Sequence, residues 1–213
     1  MRFSIKIIES DKEIALRIGN ALIPQVRQYM SKTMDKIRKG LPDIIYQAII
    51  SSPEYSSILS GLLKYEFGIP DSLSKLDGLL NVWTQNLSVT YTPPSVNYNG
   101  SVSSSVTIAM IKSDFSDVLG TDYASVFDRK RGYILPWLSW LLLEGSVTIV
   151  NGHQVIFGSN PRSRTGLAVM RKGGNGWKVP KRFAGTSNDN WITRAIASSE
   201  KDIYNFIQKA MKI

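Results

Sequence analysis

Residues 146–157 read SVTIVNGHQVIF, two β-branched runs separated by a single turn dipeptide. Asn151-Gly152 is a pair favoured in a two-residue type I′ turn, because both central positions need positive φ. The spacing predicts a hairpin in which Val147–Val150 pairs antiparallel with His153–Phe157. Working outward toward the N-terminus, Val102, Ser104, Val106, Ile108 and Met110 alternate with small polar residues, the period of a half-buried strand, and Asn99-Gly100 before them signals a turn. NLSVTYT at 86–92 reads as a further strand that runs into Pro93-Pro94. On the other side, Leu167–Met170 reads as a strand, and GGNG at 173–176 as a turn or flexible hairpin tip.

The first 84 residues carry a helical period instead. Ser10 and Glu13 have the spacing of a capping box. Ile14, Ile18, Leu22, Val26 and Met30 then fall one turn apart, which predicts one buried stripe. Pro24 predicts a kink or break, and Gly40-Leu41-Pro42 an end, with a second helix from Asp43. Ser52 and Pro53 have the order of cap and first helical residue, followed by Tyr55, Ile58, Leu59, Leu62 and Leu63. Gly68 and Pro70 stop that helix, and Leu73, Leu76, Leu80 and Trp83 mark another. At the C-terminus, Ser199 and Asp202 form a capping candidate ahead of Ile203, Phe206, Ile207, Ala210 and Met211. Helices at 1–84, then an antiparallel sheet with a closing helix at 85–213, define an α+β fold in one continuous domain.

Composition restricts the chemistry. The chain of 213 residues has no cysteine and a single histidine, so thiol chemistry and a two-histidine metal site within one chain are excluded. His153, just after the turn, has no serine or carboxylate tied to it by a recognised spacing. GGNG lacks the lysine and hydroxyl of a phosphate loop. Asp114, Asp117, Asp122 and Asp128 are dense enough to suggest a divalent ion, but their spacing is that of a solvated loop with Asp caps. These residues predict no enzyme and no cofactor. YILPWLSWLLL at 133–143 is too short to span a bilayer, which takes about 20 residues in a helix, and reads as buried core. No signal-peptide core opens the sequence.

Charge gives the remaining feature. With 26 Lys+Arg against 17 Asp+Glu the net charge is +9. No acidic residue falls between Glu144 and Asp189, while Arg162, Arg164, Arg171, Lys172, Lys178, Lys181 and Arg182 all do. Trp177 and Phe183 are interleaved among them. The pattern suits a partner-facing or DNA-facing patch, and plain solvated charge is the competing explanation.

SNPRSRTGLAVMRKGGNGWKVPKRFAGTSNDNWITRAI (159–196) resembles the virion proteins of tailed bacteriophages that form the neck, head–tail connector or tail-completion position. The likeness lies in the strand Thr165–Met170, the variable loop after it and the aromatic-anchored C-terminal helix from Trp191 to Ile213. EFGIPDSLSKLDGLLNVW (66–83) and the strand that follows are also similar to those proteins. The resemblance implies a non-enzymatic virion component, assembled in the host cytoplasm as a ring of identical subunits. Its implied partners are its own copies, neighbouring connector, portal or tail proteins, and DNA in a channel, with no membrane and no small-molecule substrate. The alternative is a free nucleic-acid-binding protein that uses the Arg162–Arg182 segment.

Overall fold

The computed structural model describes residues 9–110, 114–128 and 132–212. In chain order its helices are α1 (Asp11–Ile50), α2 (Pro53–Leu59), α3 (Leu62–Phe67), α4 (Ser72–Gln85), α5 (Ser116–Leu119), α6 (Ser139–Leu142), α7 (Trp191–Ser198) and α8 (Glu200–Ala210). The strands are β1 (Ser88–Tyr91), β2 (Ser95–Val96), β3 (Val102–Ser103), β4 (Val106–Ala109), β5 (Val126–Asp128), β6 (Tyr133–Leu135), β7 (Thr148–Val150), β8 (His153–Phe157), β9 (Ala168–Lys172) and β10 (Trp177–Lys178). Long helices with small antiparallel sheets make this an α+β protein. Two compact units share the chain, one holding the residues up to Leu41 with Ser88–Ala109 and the residues from Phe206, the other Pro42–Leu87 with Met110–Asn205. This division is discontinuous in sequence and cuts across the expected boundary at residue 84.

In the first unit, β1 pairs with β4 and β2 with β3, all antiparallel, so that 88–109 forms one interrupted hairpin. Asn99-Gly100 stands at its tip, where Gly100 takes φ 84° and donates its N–H to Asn97 O at 2.9 Å. The strand expected over 102–110 is broken at Ser104-Ser105, whose side chains bond across to Thr92. α1 packs closely on this hairpin. A Cβ on Gly19 would lie 2.6 Å from Gly100 O. Arg38 donates through Nε and Nη2 to Val89 O at 3.2 and 3.0 Å.

α1 departs from its expected outline in two ways. It runs unbroken through Pro24 and through Gly40-Leu41-Pro42, so neither the break nor the separate second helix is formed. A proline in a helix costs about 3 kcal/mol. Burial of Met34, Ile37, Leu41, Ile45 and Ile49 on both sides of Pro42 offsets that cost. Gly40 serves as a contact point, because the Phe206 ring occupies the place of its missing side chain. The predicted stripe also fails as a single face, with Ile18 56% and Leu22 41% exposed while Met30 is buried. Each step of four residues overshoots a full turn by about 40°, so a row of five sweeps about 160° around the helix. The first members have rotated out by the point where Met30 enters the core. The Ser10–Glu13 capping box is formed, with Ser10 N–H donating to Glu13 Oε2 at 2.8 Å and Glu13 N–H to Ser10 Oγ at 3.3 Å.

The second unit holds the aromatic core. Phe67 stacks on Trp140 at 6.0 Å, meets Trp177 edge-on at 5.3 Å and lies 6.2 Å from Trp137. Trp83 and Trp191 make a second perpendicular pair at 5.2 Å. Trp137, Leu138, Leu141 and Leu142 are fully buried, as expected of the apolar 133–143 segment, although Tyr133 and Ile134 at its start are exposed on β6. The chain comes so close to α6 at Gly185 that any Cβ there would overlap the Leu141 carbonyl. The helix expected over Tyr55–Leu63 is divided at Ser60-Gly61 into α2 and α3, and Gly68 ends α3 in the left-handed region. No helix among the described residues is long and apolar enough to cross a membrane.

Two polar contacts join α2 to α7. Ser52 Oγ caps α2 by accepting Tyr55 N–H at 3.2 Å, donates to Ile49 O at 2.6 Å and accepts the Trp191 indole N–H at 2.7 Å. Glu54, 2% exposed, accepts from Arg194 Nε and Nη2, each at 2.9 Å. α7 starts with a capping box of Asn190 and Thr193, which the sequence analysis missed. Removing one partner of a buried ion pair leaves the other charge uncompensated. Arg194→Ala is therefore expected to destabilise the fold by about 3–5 kcal/mol, measured by urea denaturation. Arg17→Ala, whose Glu9 partner is solvent-facing, should change it by less than about 1 kcal/mol.

Candidate functional site

The acid-free segment forms a two-stranded ribbon with a corner in each strand. β8 pairs antiparallel with β9 in the register His153↔Lys172 to Phe157↔Ala168, and β7 pairs with β10. The predicted pairing of Val147–Val150 with His153–Phe157 across Asn151-Gly152 is not made, which corrects the hairpin assignment. Gly152 takes φ 61°, but Asn151 does not take the positive φ that a type I′ turn also requires, so the bend turns the chain at a corner and does not fold it back on itself. GGNG lies opposite, with Gly173 N–H donating to Gly152 O at 2.8 Å, so it is the matching corner and not a hairpin tip. Local sequence specified the positive φ; the choice of partner strand came from residues 168–178.

The true tip is 158–167, closed by Gly158 N–H to Leu167 O at 2.8 Å and Asn160 N–H to Gly166 O at 3.0 Å. Asn160 Oδ1 accepts Arg162 N–H at 2.9 Å, and Ser163 Oγ accepts from Thr165 and Ala168 N–H. Arg162 is exposed there. Arg164 turns back to the body, donating to Phe67 O at 3.0 Å and lying 3.6 Å from the Asp128 carboxylate. It fastens the tip and is not a free contact residue. Arg171 and Lys172 on β9, Lys178 on β10, and Lys181 beyond it are exposed and make no ion pair among the described residues. Arg182 lies 4.6 Å over the Phe183 ring.

Trp177 and Phe183, expected to face a partner, are 7% and 3% exposed and belong to the core. Trp177 faces inward on β10 with Lys178 outward, as strand alternation dictates, while Phe183 is turned inward by the turn after Pro180. The exposed apolar side chains of the ribbon are Ile156, Phe157, Leu167 and Met170, which the sequence analysis did not single out. The cross-strand pair Phe127 and Ile134 on β5–β6 is exposed as well, at 57% and 63%.

The acidic loop is dispersed by its structure. Asp117 accepts from Asn86 Nδ2 at 3.0 Å, Asp114 Oδ1 from Ser116 N–H at 3.0 Å, and Asp128 meets Arg164. Among the described residues no three His, Cys, Asp or Glu side chains gather into a group that could hold a metal ion. His153 Nδ1 lies 2.9 Å from Asn151 O. The chain matches no known protein family, no curated protein and no solved structure.

Glu66, at the end of α3 beside this ribbon, is a carboxylate whose protonation the fold disturbs upward. Burial pushes its carboxyl above the usual range, against the pull of the Trp177 indole N–H and the Arg182 guanidinium. A raised carboxyl means that the folded state favours the protonated form. That stabilisation is fully present below the unfolded value, about 4.3, and is lost as pH rises through the folded value. Glu66→Gln should therefore leave stability unchanged near pH 4 and raise it at pH 7. The gain is at most about 1 kcal/mol, because the side chain keeps contact with water. Urea denaturation of both proteins at the two pH values checks this.

Proposed function

We propose that this chain is a structural virion protein of a tailed bacteriophage, a ring-forming neck or tail-completion component that joins head and tail without catalysing a reaction. The observation that carries this reading is the likeness of residues 159–196 to such proteins, together with what that segment builds. It supplies the tip, β9 and β10 of a ribbon, where exposed Arg162, Arg171, Lys172 and Lys178 accompany exposed Leu167 and Met170, with Lys181 just beyond. Unpaired cations mixed with apolar side chains suit contact with another macromolecule, because desolvation of the apolar part adds affinity and the charges set orientation. A neighbouring subunit, an acidic face of the next ring, or DNA in a channel would each meet that chemistry.

Nucleic-acid binding outside a virion is supported by the same cations. Burial of Trp177 and Phe183 removes the stacking platforms from this rival, so its contacts would be with phosphates. The two readings separate by experiment. Native mass spectrometry and electron microscopy of purified particles should find the protein as a symmetric ring between head and tail, and loss of its gene should leave unjoined heads and tails. Absence from particles would overturn the proposal. A steeply salt-dependent affinity for short DNA, abolished by reversing Arg162, Lys178 and Lys181 to Glu, would then favour the rival.

A further inference from the structure

Asn151-Gly152 is one of three Asn-Gly pairs in the chain, with Asn99-Gly100 and Asn175-Gly176. In such a pair the backbone N–H after the asparagine can attack the carboxamide carbon, because glycine has no side chain to hinder the approach. The fold treats the three pairs differently. At the first, Gly100 N–H donates to Asn97 O at 2.9 Å, and Asn99 Oδ1 accepts from Ser101 N–H at 3.1 Å and from Ser101 Oγ at 2.7 Å. Nucleophile and carboxamide are both held there. At the third, Gly176 is wedged against β7, where a Cβ would lie 2.8 Å from Thr148 Cγ2 and from Val150 O. Asn151 and Gly152 are both exposed, and a Cβ on Gly152 would meet nothing within 4 Å. Among the described residues Gly152 N–H makes no backbone hydrogen bond.

The same corner holds the chain's single histidine. His153 Nδ1 lies 2.9 Å from Asn151 O, and a carbonyl oxygen only accepts, so Nδ1 carries the proton in this contact. That oxygen belongs to the same peptide group as Gly152 N–H. A hydrogen bond on it draws electron density from the nitrogen and makes the N–H easier to ionise, which the attack requires. We propose that Asn151-Gly152 is a self-modification site, at which the folded protein converts asparagine to aspartate and isoaspartate with water as the co-reactant. Gly152 N bonds to Asn151 Cγ, the Cγ–Nδ2 bond breaks, and the amide proton leaves on that nitrogen as ammonia, giving a succinimide. Water then opens the ring at Cγ to give aspartate, or at the backbone carbonyl to give isoaspartate. Either product places a carboxylate between Glu144 and Asp189, where the chain has none, and lowers the net charge of +9 by one unit. Isoaspartate also lengthens the backbone by one carbon at the corner between β7 and β8. Neither outcome depends on the virion reading.

The test follows each asparagine of the full chain by proteolysis and mass spectrometry during incubation at neutral pH and body temperature. Conversion adds the mass difference between a carboxylic acid and a carboxamide, and labelling by an isoaspartyl methyltransferase counts the isoaspartate. Asn151 should convert about tenfold faster than Asn99 and Asn175, which must first open locally. In urea that unfolds the chain the three rates should draw level, so that the order belongs to the fold and not to the dipeptide. His153→Leu should slow conversion at position 151 severalfold. His153→Asn, whose Nδ2 takes the place of the imidazole Nδ1, should restore it, with the Asn99 rate the same in every variant. An Asn151 that converts no faster than the other two in the folded chain, or the same order in urea, would overturn the proposal. So would a His153→Leu rate equal to the parent's, or a His153→Asn rate as slow as that of His153→Leu.

Discussion

One hydroxyl organises the second unit. Ser52 Oγ donates once and accepts twice, ending α1, starting α2 and holding the Trp191 indole. A serine hydroxyl offers one donor and two acceptor sites, so this atom has no capacity left over. Trp191 in turn presents its ring to Trp83 on α4, and Arg194, one turn further along α7, reaches Glu54. The first turns of α2 and α7 are thus tied at two points. Glu54 contributes beyond its ion pair, since a carboxylate in the first turn of a helix also opposes the partial positive charge there.

The Phe67 cluster depends on that arrangement. α3 follows α2 after a break at Ser60-Gly61, and it delivers Phe67 into contact with Trp137, Trp140 and Trp177. Trp177 is the inward residue of β10, so burying it fixes which side of the ribbon faces the body. The lysines and arginines of the same segment are left on the other side. Arg164 completes the attachment by binding Phe67 O, the carbonyl at the last residue of α3. The exposed basic surface is therefore a by-product of aromatic burial as much as of charge itself.

Much of the fold was legible because its signals are local. Ser10 with Glu13, Ser52 with Pro53, and Gly68 each satisfy or release backbone groups within a few residues, and all act as their spacing implies. The strands at 88–91 and 106–109 followed from alternation. What was not legible depends on distant residues. Pro24 and Pro42 are breakers by local energy alone, yet α1 continues through both, and around Pro42 tertiary burial offsets the cost. Asn151-Gly152 encodes a bend, while its pairing is set by strands that follow about twenty residues later. Trp177 read as a contact residue because cations surround it in sequence; only the strand's inward face shows that it is core. The proposed virion role rests on the same segment.

The paired corners give the ribbon a mechanical property. Positive-φ glycines stand at Gly152 in one strand and at Gly173, Gly174 and Gly176 in the other, so both strands have their least hindered backbone at the same level. Beyond that level β8 runs five residues to the tip loop, an arm of about 17 Å. A rotation of about 10° at the corner swings the end of such an arm through about 3 Å, the scale of one strand residue. Arg164, bonded to Phe67 O and beside the Asp128 carboxylate, holds that end to the body, so the ribbon is a lever pivoted on glycine and latched by one arginine.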